Sequence, residues 1–168
     1  MNIESFPNQG RLLGLDYGSK RVGVAISDSE QKIAAAVCVI QRSSAQGDGR
    51  ALSRIVEENT PVGLVVGLPV YTSGDEGTQA KRAREFGLWA SRQLQLPLTF
   101  WDERHSSTIA EGYLIDVGFS EKKRRARLDA LAAQVMLQAY LDATDRSRWD
   151  RESSGSHRMN PNRKEPER

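Results

Sequence analysis

Residues 62–67 read Val-Gly-Leu-Val-Val-Gly, a run without a single polar side chain. A continuous apolar segment of that length is the pattern of a strand covered on both faces, which is how parallel strands are buried. Parallel strands need crossover connections, so the chain must alternate strands with helices. The rest of the sequence supplies them. Leu12–Tyr17 is an apolar strand, Gly18-Ser19-Lys20-Arg21 a turn, and Val22–Ile26 a second strand, together a hairpin. Ile33–Ile40 is a third, β-branched run after the polar turn Asp28-Ser29-Glu30. Asp48 is placed to cap a short helix with Leu52, Ile55 and Val56 on its apolar face, ending near Asn59-Thr60-Pro61. Beyond a Gly-rich loop, Ala83, Phe86, Ala90 and Leu94 recur at helical spacing within Thr78–Gln95, and Leu98–Trp101 is a last strand. Thr108-x-x-Glu111 has capping-box form at the head of a helix stopping at Gly118, and Leu128–Leu141 is the final helix. The order predicts an α/β domain: a five-stranded mixed sheet, three strands in an antiparallel meander plus two parallel strands, flanked by helices.

The 168 residues suit one domain. Of 24 Lys+Arg and 22 Asp+Glu, seven and five fall after residue 142, so the formal excess of +2 belongs to that tail. Residues 143–168 offer little to bury and are expected to be a disordered polar tail; residues 1–10 are read as a flexible N-terminus and 11–142 as the domain. A neutral domain excludes bulk basicity as a source of nucleic-acid affinity, which must then come from a local cluster. The main one is Lys122-Lys123-Arg124-Arg125-Ala126-Arg127, which is either a solvated linker or a phosphate-binding run. Cys38, the single cysteine, reads as a buried core thiol in a reducing compartment, and one Cys with two distant His makes zinc improbable. No stretch approaches the length of a membrane helix and no secretory signal is visible, so a cytoplasmic location is expected.

Three carboxylates stand in places where acids are costly. Asp16 closes an apolar strand, although Asp before Gly18 is also an ordinary turn residue. Glu103 lies just past the strand ending at Trp101, where it would also suit the next helix N-terminus. Asp129 shares a helical stripe with Ala133, Met136 and Tyr140, a face expected to be buried, although a first-turn acid is favoured by the macrodipole too. An uncompensated buried carboxylate costs several kcal/mol, so such a group needs a cation or donors. If the strands at Leu12, Val62 and Leu98 are parallel neighbours, Asp16 and Glu103 emerge at one carboxyl edge, where ligands of parallel sheets bind. A helix packed on the sheet then brings Asp129 to meet them. Three hard oxygen ligands suit Mg²⁺ or Mn²⁺ and support phosphodiester hydrolysis.

These residues also carry a resemblance. Leu15-Asp16-Tyr17-Gly18-Ser19-Lys20-Arg21-Val22-Gly23-Val24-Ala25-Ile26-Ser27-Asp28, Val66-Gly67-Leu68-Pro69 with Gly74, Gln79 and Phe86, Asp102-Glu103-Arg104-His105-Ser106-Ser107-Thr108, and Asp129-Ala130-Leu131-Ala132-Ala133 resemble, in order, the four motifs of the YqgF/RuvX family of pre-16S rRNA nucleases or Holliday-junction resolvases. The resemblance covers about residues 11–142. It implies an RNase H-like fold and a metal-dependent nuclease whose catalytic and metal-binding acids are Asp16, Glu103 and Asp129, with one or two metals left open. Lys20 and Arg21, beside Asp16, either hold a phosphate or form a solvated turn; Arg104 either bridges Glu103 to phosphate or pairs structurally. Gly67-Leu68-Pro69 is read as shaping the backbone near the cleft, and His105 as no ligand.

Two other classes compete. Asp-x-Gly in a hairpin also resembles the phosphate-binding turn of sugar kinases, but those close a cleft between two domains and this chain supplies one, without a Walker loop. A non-catalytic RNA- or ribosome-binding protein would use the basic run, yet it has no reason to gather acids against a polyanion. The expected substrate is precursor rRNA, in ribosomal particles, rather than branched DNA. A junction resolvase needs a two-fold dimer with a substantial apolar interface; the apolar stripes here are needed to cover the sheet, which favours a monomer, with at most a weak dimer.

Overall fold

The computed structural model describes residues 6–69, 73–103 and 120–155, with side chains described to residue 145. Five strands, β1 (Leu12–Tyr17), β2 (Arg21–Ser27), β3 (Ala34–Gln41), β4 (Gly63–Leu68) and β5 (Leu98–Asp102), form one sheet in the order β3-β2-β1-β4-β5. The first three make the antiparallel meander, and β1, β4 and β5 run parallel, with Leu15 opposite Val66 and Gly67 opposite Trp101. The fold is RNase H-like, with the strand count and pairing that the hydrophobic runs imply.

Side chains alternate across the sheet, so each strand feeds two cores. Leu13, Leu15, Val22, Val24, Leu64 and Val66 face helices α1 (Ala45–Asn59) and α2 (Thr78–Leu94), meeting Leu52, Ile55, Phe86 and Ala90. Leu12, Ala25 and Val65 face helix α3 (Glu121–Gly155), meeting Ala133, Met136, Leu137 and Leu141. Each fully buried Leu or Val contributes about 1.5–3 kcal/mol relative to exposure, which makes the two-sided burial of β1 and β4 the main organiser of the domain. Among the described residues no helix is long and apolar enough to cross a membrane.

Several boundaries differ from the sequence expectation. Helix α3 begins at Glu121 and continues to Gly155, so the basic run is its first two turns rather than a linker, and residues 143–155 are helical rather than a disordered tail. Tyr140 and Leu141 on its inner face anchor the helix against the sheet, and helical hydrogen bonding carries it past the point where burial ends. The N-terminus is tied down from residue 6. The Phe6 ring packs edge-on against Tyr140 at 6.2 Å, and Gln31 Nε2 donates to the carbonyls of Pro7 and Gly10. Helix α1 is capped by Ser44, whose hydroxyl accepts from the Gly47 amide at 3.0 Å. Asp48 is instead a buried first-turn acid that accepts from the Ser43 amide and from Arg42 Nε. Cys38 is half-buried on the edge strand β3, packed against the α1–α2 core rather than fully enclosed in it. The helix expected from Thr108 to Gly118 lies outside the described residues.

Candidate active site

At the carboxyl edge of the parallel strands, Asp16 lies in a cross-strand row between two glycines. Gly23 of β2 pairs with Asp16 directly, and Gly67 of β4 follows Val66, the partner of Leu15. All three positions present the α3 face, and the absence of side chains beside Asp16 opens a trough. A Cβ on Gly67 would lie 2.2 Å from Glu103 Oε1, so the Glu103 carboxylate occupies the space that glycine leaves. A Cβ on Gly23 would lie 2.1 Å from the Asp129 backbone oxygen, so α3 crosses β2 in near contact at that point. An isolated Gly inside an apolar strand is a sign of such close approach, and Gly23 is the signal in the sequence that could have located the α3 contact. Gly23→Ala is expected to push α3 off the sheet, because the obstructing atom is backbone and cannot turn away. A stability loss of about 1–3 kcal/mol, read as a fall in melting temperature, is the expected outcome.

Asp16 and Glu103 converge and share a hydrogen bond between their carboxyl groups. Burial holds Glu103 far above its ordinary range, to about 8, and repulsion from Asp16, its hydrogen bond to Asp16, and repulsion from Asp102 add to the effect. Burial also raises Asp16, with repulsion from Asp129 in the same direction and the Glu103 hydrogen bond opposing it. Burial and the closeness of the two groups therefore favour a proton shared within the pair over two free charges. Two carboxylates sharing a proton behave in this way wherever no cation separates them. Their oxygens are the hard donors that Mg²⁺ or Mn²⁺ prefers, so the pair fits such an ion as a replacement for the shared proton.

Asp129 approaches Asp16 closely enough to repel it, but its carboxylate is engaged elsewhere: Arg21 Nε donates to Asp129 Oδ2 at 2.5 Å. Both side chains are about one-third exposed, so Asp129 is neither deeply buried nor unpartnered. It also stands more than two turns into α3, which removes the first-turn explanation for its presence. Among the described residues no three Asp, Glu, His or Cys side chains converge in a geometry that would hold an ion. The three acids expected to meet thus form a pair, Asp16 with Glu103, and a neighbour held by Arg21. That ion pair spans 108 residues of sequence and left no local trace there. Lys20 is exposed in the hairpin turn, and Lys122, Lys123, Arg124, Arg125 and Arg127 are exposed along the start of α3, with Arg125 bound to Glu121 at 2.6 Å. Arg104 and His105 lie outside the described residues.

A five-stranded sheet of this order is the RNase H-like fold, and solved structures share the architecture. Thermus thermophilus RuvC in complex with Holliday junction substrate superposes with a TM-score of 0.52 at 13% identity, covering 80% of this chain and 96% of that one. The yeast mitochondrial Holliday junction resolvase Ydc2 gives 0.54 at 11% identity, covering 90% and 86%. At such identities the likeness is one of fold. The family follows from sequence: residues 10–143 match the model described as "RuvX: Holliday junction resolvase", and the chain belongs to the RuvX family. A protein of Paracoccus denitrificans (strain Pd 1222) named "Putative pre-16S rRNA nuclease" is 41% identical over 145 residues, covering 84% of this chain and 92% of the relative. One of the same name from Caldanaerobacter subterraneus subsp. tengcongensis is 41% identical over 138 residues, covering 82% and 99%.

Proposed function

We propose that this chain is a metal-dependent nuclease that hydrolyses phosphodiester bonds in the precursor of 16S rRNA, in the cytoplasm and on ribosomal particles. The observation that carries this reading is the hydrogen-bonded pair Asp16–Glu103 at the carboxyl edge, two carboxyl groups that burial raises, with Asp129 close enough to Asp16 to repel it. No binding module needs such a pair. Asp16 and Glu103 would hold Mg²⁺ or Mn²⁺, with Asp129 as the third acid of the set. When bound, the ion lowers the pKa of a coordinated water and neutralises charge on the phosphate. Arg21 holds Asp129 in place and sits beside the acids, where a substrate phosphate would compete for its guanidinium. Lys20, and Arg104 from the neighbouring motif, would add contacts to the same backbone.

The basic run supports a polyanionic partner by its cost. Cations in the first turns of a helix oppose its macrodipole, each unfavourable by about 0.3–1 kcal/mol. Lys122, Lys123 and Arg124 in the first turn are set against that gradient with Glu121 as the first-turn acid, Arg125 and Arg127 follow in the second turn, and phosphates at the helix start would offset the cost. Replacing the five with Gln is expected to weaken RNA binding and flatten its salt dependence, the log–log slope falling by about 0.7–0.9 per lost contact. An unchanged slope in a filter-binding titration would leave the run a solvated surface.

RNA is preferred over four-way DNA on two grounds. The relatives carry an rRNA-nuclease name. Among the described residues the exposed large apolar side chains Ile33, Val37, Val62, Leu88 and Leu128 are also spread over several elements rather than gathered on one, which gives no support to a two-fold apolar interface. The test is cleavage of precursor 16S rRNA and of a synthetic four-way junction, each with Mg²⁺ or Mn²⁺ and with Asp16→Asn as control. Matured rRNA ends with wild-type protein support the reading. A stable dimer making paired symmetric cuts in the junction, with rRNA ends untouched, would overturn it.

A further inference from the structure

Asp16 and Tyr17 are consecutive in β1, so their side chains leave the sheet on opposite faces. Asp16 faces α3 and the carboxyl pair, whereas Tyr17 faces α1 and α2 and forms the floor of a cavity of about 290 Å³. Tyr17, Phe86 and Trp89 make a chain of rings along it, with centroids 5.1 and 5.5 Å apart. The Arg42 guanidinium lies over two of those rings, 5.0 Å from the Tyr17 centroid and 5.5 Å from Phe86. Its Nη1 donates to the Tyr17 hydroxyl at 2.9 Å and its Nε to Asp48 at 3.3 Å. Two of the five guanidinium N–H donors are used in this way.

The cavity charges balance, Arg42 and Arg82 against Asp48 and Glu85. A neutral, ring-lined space at the lower end of ligand-pocket volumes fits one planar base better than a cluster of phosphates. Arg82 is exposed at the rim and makes no ion pair among the described residues. Past Trp89 and Ala45 the cavity opens into a wider hollow between α1 and α2, where Arg50 and Arg54 lie. Two part-exposed rings, Tyr17 and Trp89, backed by the buried Phe86 and followed by spaced cations, have the layout of a single-strand path.

We propose that the Tyr17–Phe86–Trp89 cavity is a nucleobase subsite, taking a base of the substrate strand next to the phosphate at Asp16, with the strand continuing along Arg82 and the α1–α2 hollow. The strand would cross the sheet edge between Asp16 and Tyr17, which makes single-stranded nucleic acid the ligand, since a duplex cannot place one base in a cavity of this size. The subsite rests on the nuclease reading for its role, but its occupancy is measured without cleavage.

The experiment is a titration of the full chain with a short oligouridylate in chelator, where no cleavage occurs. Trp89→Leu is expected to weaken binding about tenfold, Trp89→Phe to restore most of it, and Arg82→Gln to lower the salt slope by about 0.7. Wild-type affinity and slope in Trp89→Leu and Arg82→Gln, with melting temperatures unchanged, would overturn the subsite. So would failure of the wild-type chain to bind the oligouridylate, or uridine monophosphate binding as tightly as the oligomer, which would make the cavity a free-nucleotide site. Oligomer binding lost in Trp89→Leu but present in a chain that cleaves nothing with any metal would remove the nuclease reading and leave the subsite standing.

Discussion

Asp16→Asn and Glu103→Gln are each expected to reduce phosphodiester cleavage by about 10³-fold or more, the scale of losing a preorganised charge-stabilising group. Both acids lie at the floor of the trough that Gly23 and Gly67 open, and each amide keeps the shape of the acid while removing an anionic oxygen. The fold is expected to survive, because burial already disfavours charge on both groups and a neutral amide of the same shape keeps a hydrogen-bond donor for its partner. Asp129→Asn is expected to lose activity too, with a stability change within about 1 kcal/mol, since its ion pair with Arg21 is about one-third exposed. Cleavage assays paired with thermal melts check all three. Activity lost together with a large fall in melting temperature would assign these acids to folding and not to chemistry.

In metal-free buffer the wild-type chain is expected to lose stability as pH rises from about 4.5 toward 8, and Glu103→Gln to lose much less. The sign follows from linkage. Glu103 holds its proton more tightly folded than unfolded, so between those values the unfolded chain ionises first and each increase in pH draws the equilibrium toward it. The contribution is fully present below the unfolded value and is gone above the folded one. Above pH 7 the variant is expected to melt higher than wild type by on the order of a few degrees. Mg²⁺ is expected to reverse the order, because a cation stabilises the ionised pair and has a weaker hold on the amide. Parallel melting profiles for the two proteins across this range, with and without Mg²⁺, would show that the carboxyl groups do not share a proton and do not hold an ion.

Much of the site was legible along the chain, and the part that was not has a common cause. The apolar runs at Leu12 and Val62 announced β1 and β4, and strand polarity alone put Asp16 and Glu103 at one edge. Gly67-Leu68-Pro69 signals special backbone geometry near the cleft, whereas Gly23 enters only as part of its motif. What approaches was not readable: the Glu103 carboxylate over Gly67, and the backbone of α3 over Gly23. Asp129 shows the limit most clearly. Its helical stripe with Ala133 and Met136 was periodic and correct, but whether it meets two acids or an arginine depends on how far α3 slides along β2. A helical period determines a face and carries no information about axial position.

The termini teach the same lesson from the other side. The tail after residue 142 has the composition of a disordered segment, yet α3 runs on to Gly155, because a helix already nucleated by packing at Met136, Leu137 and Leu141 extends at low cost. Phe6 sits in a polar N-terminus that looks loose, and it is held because Gly63 leaves room for its ring beside Tyr140. Local residue patterning by itself determined the elements, their polarity and the carboxyl edge, since period and turn chemistry act within a few residues. Only the tertiary structure decided which acids share a proton, which one pairs with Arg21 and where the ring-lined cavity opens, since those depend on contacts between residues far apart in the chain, and such contacts exist only once the sheet and its helices are packed.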